Sequence, residues 1–440
     1  MLRWARNDSI GNSRDNQLGS GTERPVEPSS DIVVIGAGAA GLATAIFTRR
    51  LNPSLSVLLL DGAKKPGAKI LVSGGARCNV TNRSVTDADF WGGRRSIIRR
   101  VLRALPVEET IAFFDAIGVP LHEEAGGKLF PNSNRARDVL NALLREVTAS
   151  GVRLLTDHRV IDVRRADSGF VVTTSQGDIP ARFVVLATGG QSLPKSGSDG
   201  AGFAVARSLG HAIVPLTPGL VPLVLSQDDD IHRELSGVAQ DVVLTVRANG
   251  SVAATITGAL LWTHFGISGP ATLDVSRHYL RAQLSGAATL ALNLCGGDSF
   301  DVVEARWTTL AADRPKASLQ HALATCVPTS VAAAMLRTLH LDPNMTLAHW
   351  TRDQRRQLVH ALVEWPLPVI GTRGYNYAEV TAGGVALTEI DPATMESRVC
   401  PGLFLVGEIL DVDGRIGGFN FQWAWSSARA AARALATQML

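Results

Sequence analysis

Ile32-Val33-Val34-Ile35-Gly36-Ala37-Gly38-Ala39-Ala40-Gly41, followed by the Ala-rich run to Thr48, is the stretch that decides the fold. Four consecutive β-branched residues read as a parallel strand buried on both faces. They run directly into a G-x-G-x-x-G and then into a helical pattern. Gly36 lets the chain turn sharply, Gly38 leaves room for a pyrophosphate against the backbone, and Gly41 lets the helix pack close to the strand. The N–H groups at the helix start, those of Ala39 and Ala40 among them, hold the anion. A second strand, Val57-Leu58-Leu59-Leu60, leads to Asp61 about twenty residues after Gly41, where a carboxylate meets an adenosine ribose. The uncharged stretch Ile32 to Thr48 touches the lower limit of a bilayer span. Its division into strand, glycine turn and helix, with another strand at once behind, makes it a βαβ unit instead.

The fingerprint alone does not separate FAD from NAD, since both present the same pyrophosphate. Outward from it lies the glycine-centred loop Ser73-Gly74-Gly75-Ala76-Arg77-Cys78-Asn79. The strand Phe183 to Ala187 ends in Thr188-Gly189-Gly190, at the strand edge where open α/β sheets bind ligands. Near the C-terminus Leu403 to Val406 reads as one more buried strand. Gly407, Asp411, Gly417-Gly418-Phe419-Asn420 and a long Ala-rich helix follow. That helix points its N-terminus at the sheet edge, where its dipole suits the electron-rich N1 and O2 edge of a flavin.

The middle of the chain changes texture. Alternating segments flank Asn249-Gly250, a strong hairpin signal, and a helical stretch around Gln354 to Leu362 stops before Pro366. The expected fold class is α/β, a discontinuous Rossmann-like FAD-binding domain interrupted by a β-barrel-like domain with a small helical insert. The expected divisions are a flexible leader (1–30), the first part of the nucleotide domain (31–191), a barrel-like insert (192–301 and 365–380), a helical insert (302–364) and the returning nucleotide domain (381–440).

Composition sets the remaining bounds. The chain has 440 residues, 45% hydrophobic and 19% charged, with a formal charge of +3, a soluble globular balance. The basic residues are read as scattered, so no nucleic-acid partner is expected. Four separated cysteines form no metal or dithiol motif and suit a cytoplasmic location. No metal site and no membrane partner are expected, and oligomeric state is not readable.

The fingerprint and the segments SGGARCNVTN (73–82), KLFPNSNRARDVL (128–140), VLATGGQSLPKSGSDGAGFAVARSLGH (185–211), LLWTHFGISGPATLD (260–274), EVTAGGV (379–385) and GLFLVGEILDVDGRIGGFNFQWAWSSA (402–428) together resemble a known group. It is the bacterial NAD(P)/FAD-dependent flavoproteins of the aminoacetone-oxidase and bile-acid-reductase type. The resemblance covers almost everything after residue 30. It implies FAD contacts at Gly36, Gly38, Ala40, Gly41, Asp61, Lys69, Ser73, Gly75, Arg77, Thr188, Gly189, Gly407, Asp411, Gly418, Asn420 and Gln422. The family usually carries Glu at position 61, a basic residue at 68 and Gly at 76, where this chain has Asp61, Ala68 and Ala76.

A flavin supplies the redox chemistry, so the protein needs to orient a small-molecule substrate and move a proton. His264 is a candidate proton donor or a structural histidine. Tyr375, with Tyr377, is a candidate substrate ligand or a packing aromatic. Cys78 is counted among the cofactor-binding residues, as a flavin link or nucleophile, or as packing. The expected function is FAD-dependent reduction of a conjugated C=C bond in a small organic substrate, with NAD(P)H as a transient electron donor. The alternatives are an amine or ketone oxidase using oxygen, a nucleic-acid-modifying flavoprotein, and an FAD-holding module without turnover.

Overall fold

Ser30–Ile35 is an inner strand of a seven-stranded sheet, seen in a computed structural model that describes residues 30–227 and 231–438. The leader assigned to residues 1–30 lies outside the described residues except for Ser30. The strand pairs in parallel with Val57–Leu60 on one side and Gly177–Leu186 on the other. Arg153–Leu155 and Leu403–Leu405 extend the parallel set. A hairpin of Val160–Ala166 and Gly169–Thr174 adds antiparallel edge strands. Ile32, Val33 and Val34 are each 0% exposed, as a strand apolar on both faces requires. The fingerprint helix Ala39–Leu51 packs lengthwise on the closing helix Phe419–Thr437. Both are rich in alanine, which lets their axes approach closely.

The chain leaves this unit through Ile213–Gly219 and returns through Val380–Val385, and the two segments pair antiparallel. Between them a second seven-stranded, wholly antiparallel sheet begins at Trp365–Leu367 and ends at Val369–Thr372. Those two strands are separated in sequence only by Pro368, so the sheet curls until its ends meet, as a barrel does. The hairpin of Ala239–Ala248 and Ser251–Thr263 turns at Asn249 and Gly250, both at positive φ (48° and 83°), as a type I′ turn demands. Helices Phe300–Asp313, Leu319–Leu323, Thr329–Thr338 and Arg352–Val363 pack on this sheet and share its apolar core, separate from the core of the nucleotide unit. The fold class is the expected one. No helix among the described residues is long and apolar enough to cross a membrane.

Candidate functional site

The three fingerprint glycines do three different things. A Cβ on Gly36, at φ +102°, would lie 2.6 Å from the Ala187 carbonyl oxygen, and one on Gly41 would lie 1.8 Å from the Gly36 oxygen. Turn and helix are therefore in backbone contact. A Cβ on Gly38 would meet nothing within 4 Å, because the glycine faces open space. That space is a cavity of about 760 Å³ running along the carboxyl edge of the sheet. At one end Asp61 lines it, with Oδ2 accepting from Ala37 N and Oδ1 from Ala63 N, both at 2.8 Å. Beyond it Arg159 Nη2 and Asp199 Oδ2 pair at 2.5 Å.

Two long helices aim uncapped N-termini into this one cavity. The fingerprint helix begins after Gly38 and the closing helix after Gly418, and neither has a side-chain cap. Asn420 instead uses its amide both ways on Gly414, with Nδ2 donating to the carbonyl and Oδ1 accepting from the N–H, each at 2.8 Å. The first-turn N–H groups of both helices are left for a ligand, and the positive ends favour an electron-rich one. Thr188 Oγ1, Ser196 Oγ, Ser198 Oγ and Asn79 Oδ1 are buried on cavity-lining residues and have no partner among the described residues. Orphaned polar atoms around a glycine-floored cavity are what a large polar ligand satisfies. The residues present thus fit FAD, with Gly38 and the fingerprint helix toward its pyrophosphate and Asp61 toward its ribose.

The end near the closing helix carries charge. Lys69 Nζ lies 2.5 Å from Glu408 Oε2 and 2.5 Å from Ser192 Oγ. Glu408 Oε1 accepts from Thr381 N at 2.9 Å and from Ser192 Oγ at 3.0 Å. Lys69 and Glu408 are therefore locked together. Glu379 and Lys128 line the same end. The Glu379 side chain makes no ion pair or hydrogen bond among the described residues, and it is exposed to the cavity. The surrounding protein takes part of its hydration and pushes its carboxyl up, against the pull of Lys69 and Lys128. Behind it Asp274 accepts from Ile416 N at 2.7 Å, and burial raises its carboxyl to about 6.

Gly36, Gly38, Ala39, Ala40, Asp61, Lys69, Ser73, Gly75, Arg77, Thr188, Gly189, Gly407, Gly418 and Asn420 all line the cavity. Six candidates do not. Gly41 serves helix packing. Cys78 is fully buried among apolar neighbours, which pushes its thiol up to about 12 and leaves it an unreactive packing group. Gln422, 1% exposed, is used up by Thr81 Oγ1 at 2.6 Å and the Leu105 carbonyl at 2.7 Å. Asp411 faces Gly92 and Gly93, away from the cavity. His264 is exposed on a barrel turn with its ring edge-on to Phe265. Tyr375 supports the cavity wall only through its carbonyl, which accepts from Leu193 N. Glu379, Lys128, Glu408 and Asn79 were not singled out from sequence, although each sits inside a motif quoted above.

A family model described as the HI0933-like protein Rossmann domain matches residues 30–434. The chain is 33% identical over 406 residues to a 3-dehydro-bile acid delta(4,6)-reductase of Clostridium scindens, covering 92% of this chain and 98% of that protein. It is 33% identical over 410 residues to a ribosomal RNA dihydrouridine synthase of Escherichia coli, with 92% and 98% covered. A protein of the same name from Haemophilus influenzae is 32% identical over 413 residues, with 93% and 99% covered.

Proposed function

The chain belongs to the HI0933-like Rossmann-domain family and is an FAD-dependent oxidoreductase, and from that premise we propose that it reduces a carbon–carbon double bond conjugated to a carbonyl, with NAD(P)H as electron donor. When bound, FAD supplies the hydride exchange. Such a reduction also needs one proton, delivered to the carbon next to the carbonyl. Glu379 is the observation that carries this reading. It is a cavity-facing carboxyl without an ion-pair partner, at the end where the closing helix begins, and its surroundings raise its pKa above the ordinary carboxylate range. The names of the relatives support the same class, since one is a delta(4,6)-reductase and two make dihydrouridine. Lys69, held by Glu408, contributes fixed positive charge beside the ring system, and Lys128 is available to a substrate carbonyl.

The test separates the two half-reactions under anaerobic conditions. NADPH or NADH is expected to bleach the flavin absorbance, and a simple cyclic enone is expected to restore it. Glu379→Gln is expected to leave bleaching unchanged and slow restoration by roughly a hundredfold or more. In the native enzyme restoration falls as pH rises through the Glu379 pKa, and the variant loses that limb. An amine that bleaches the flavin where both nicotinamides fail would overturn the proposal.

A further inference from the structure

The loop between strands Val369–Thr372 and Val380–Val385 is bonded to the cavity wall along its whole length. Arg373 N donates to the Pro222 carbonyl at 3.1 Å, Glu379 N donates to the Leu220 carbonyl at 3.2 Å, and the Tyr375 carbonyl accepts from Leu193 N at 2.8 Å. Leu193, Leu220 and Glu379 all line the cavity, so the loop is part of its rim. There the Arg373 guanidinium carbon lies 3.7 Å from the centre of the Tyr377 ring and 4.5 Å from that of Phe265. The two rings hold the side chain in place. Its N–H groups make no hydrogen bond or ion pair among the described residues. Tyr377 is 52% exposed, which leaves a large aromatic surface open beside the cation. Lys195, two residues past Leu193, is exposed and lines the cavity, and it too has no acidic partner among the described residues.

A guanidinium fixed over aromatic rings with its donors unspent matches a pair of phosphate oxygens. An open tyrosine ring is a stacking platform for a base. Together, and with a second cation close by, they suit a nucleotide that carries a free phosphate. The chain has a single G-x-G-x-x-G between strand and helix, and FAD takes it, so a nicotinamide donor has no dinucleotide-binding unit of its own. Such a donor reaches the flavin only through the open cavity, and the rim is where the rest of it is left. We propose that Tyr377 stacks the adenine of NADPH while Arg373 and Lys195 bind its 2′-phosphate, holding the donor as its nicotinamide enters the cavity. NADH lacks that phosphate, so the rim selects NADPH. An acidic group on the enone substrate would engage the cations but leave the ring unused. The inference rests on the donor assigned above and adds where it is held and which of the two nicotinamides it is.

The FAD-loaded protein is mixed anaerobically with NADPH or NADH over a range of concentrations, and bleaching of the flavin band is followed by stopped flow. Half-saturation of the native protein is expected at a roughly tenfold lower concentration of NADPH than of NADH. Arg373→Gln is expected to raise the NADPH value about tenfold and to leave the NADH value where it was. Tyr377→Ala is expected to raise both values by about fivefold or more, because both donors carry adenine. Binding is read on its own by calorimetric titration with adenosine 2′-monophosphate, which should bind the native protein and compete with NADPH, and should bind Arg373→Gln roughly tenfold more weakly. Lys195→Gln, at an exposed position, gives the same reading in weaker form if Arg373→Gln fails to fold. When dithionite reduces the flavin instead, the enone should reoxidise it in each variant as in the native protein, since that step involves no nicotinamide. A native protein that neither nicotinamide bleaches overturns the donor and this site with it. If NADPH bleaches native and Arg373→Gln proteins alike, if the variant weakens both nicotinamides equally, or if only the enone step slows, the site is overturned and the donor stands.

Discussion

Ala76 stands at φ +65° in a loop where Gly74, Gly75 and Cys78 are also at positive φ. A β-carbon is strained in that region, and Ala76 is exposed, so its methyl group gains little in return. Ala76→Gly is expected to stabilise the fold by about 0.5–1 kcal/mol after the entropy of the extra glycine is counted. Urea unfolding with an unchanged m-value checks it, and a loss of stability would mean the methyl group makes a contact that matters. Asp274 gives a pH-dependent case. Its carboxyl is raised to about 6 by burial, so the folded state binds the proton more tightly than the unfolded chain. Its contribution is therefore fully present below the unfolded carboxyl range and is lost as pH rises through about 6. Asp274→Asn, which keeps an acceptor for Ile416 N, is expected to add about 2 kcal/mol at pH 8 and nothing at pH 4. Thermal melts of native and variant protein at the two pH values measure this. An equal gain at both would assign the effect to packing.

At the scale of elements, the two uncapped helix N-termini and the glycines before them make the cavity. Gly38 and Gly41 lie one turn apart in the same motif, yet their substitutions should fail differently. Gly38→Ala puts a methyl group into open cavity. It is expected to leave the apo fold intact and to weaken FAD binding by at least tenfold, as read by fluorescence titration. Gly41→Ala drives a methyl group into the Gly36 carbonyl. It is expected to cost about 3 kcal/mol of stability even without cofactor. Equal melting temperatures for the two apo variants would contradict this division of roles. These elements are legible in sequence because the strand, the glycine spacing and the Ala-rich helix each carry a local signal. Glu379 and Lys128 are not legible as a pair, because nothing local marks two residues far apart in the chain as sharing a cavity wall. Gln422 and Cys78 mislead for a related reason. They belong to motifs whose neighbours face the ligand, and only tertiary packing decides that their own side chains turn inward.

At the scale of the molecule, the nucleotide unit and the barrel unit each have their own apolar core, so what couples them is the set of contacts between those cores. One is the ribbon through which the chain leaves and returns. Another is a buried ion pair. Arg277, on the barrel unit's helix Pro270–Gln283, holds Asp413 of the nucleotide unit through Nε at 2.5 Å and Nη2 at 3.0 Å, and its guanidinium lies 5.1 Å from the Trp91 ring. Asp413 is 1% exposed, and burial raises its carboxyl while Arg277 pulls it back. A buried pair of this kind adds little over an apolar contact of the same shape, but removing one partner strands the other charge. Asp413→Ala is therefore expected to cost about 3–5 kcal/mol. Because the loss falls between the units and not inside either core, calorimetry should show one native transition becoming two. The double variant Arg277→Met, Asp413→Leu leaves no charge behind and should recover most of the stability and the single transition. If Asp413→Ala instead melts as one unit at a lower temperature, the ribbon and the remaining contacts, the Ile416 N to Asp274 bond among them, couple the units, and the ion pair acts only on the strand that carries it.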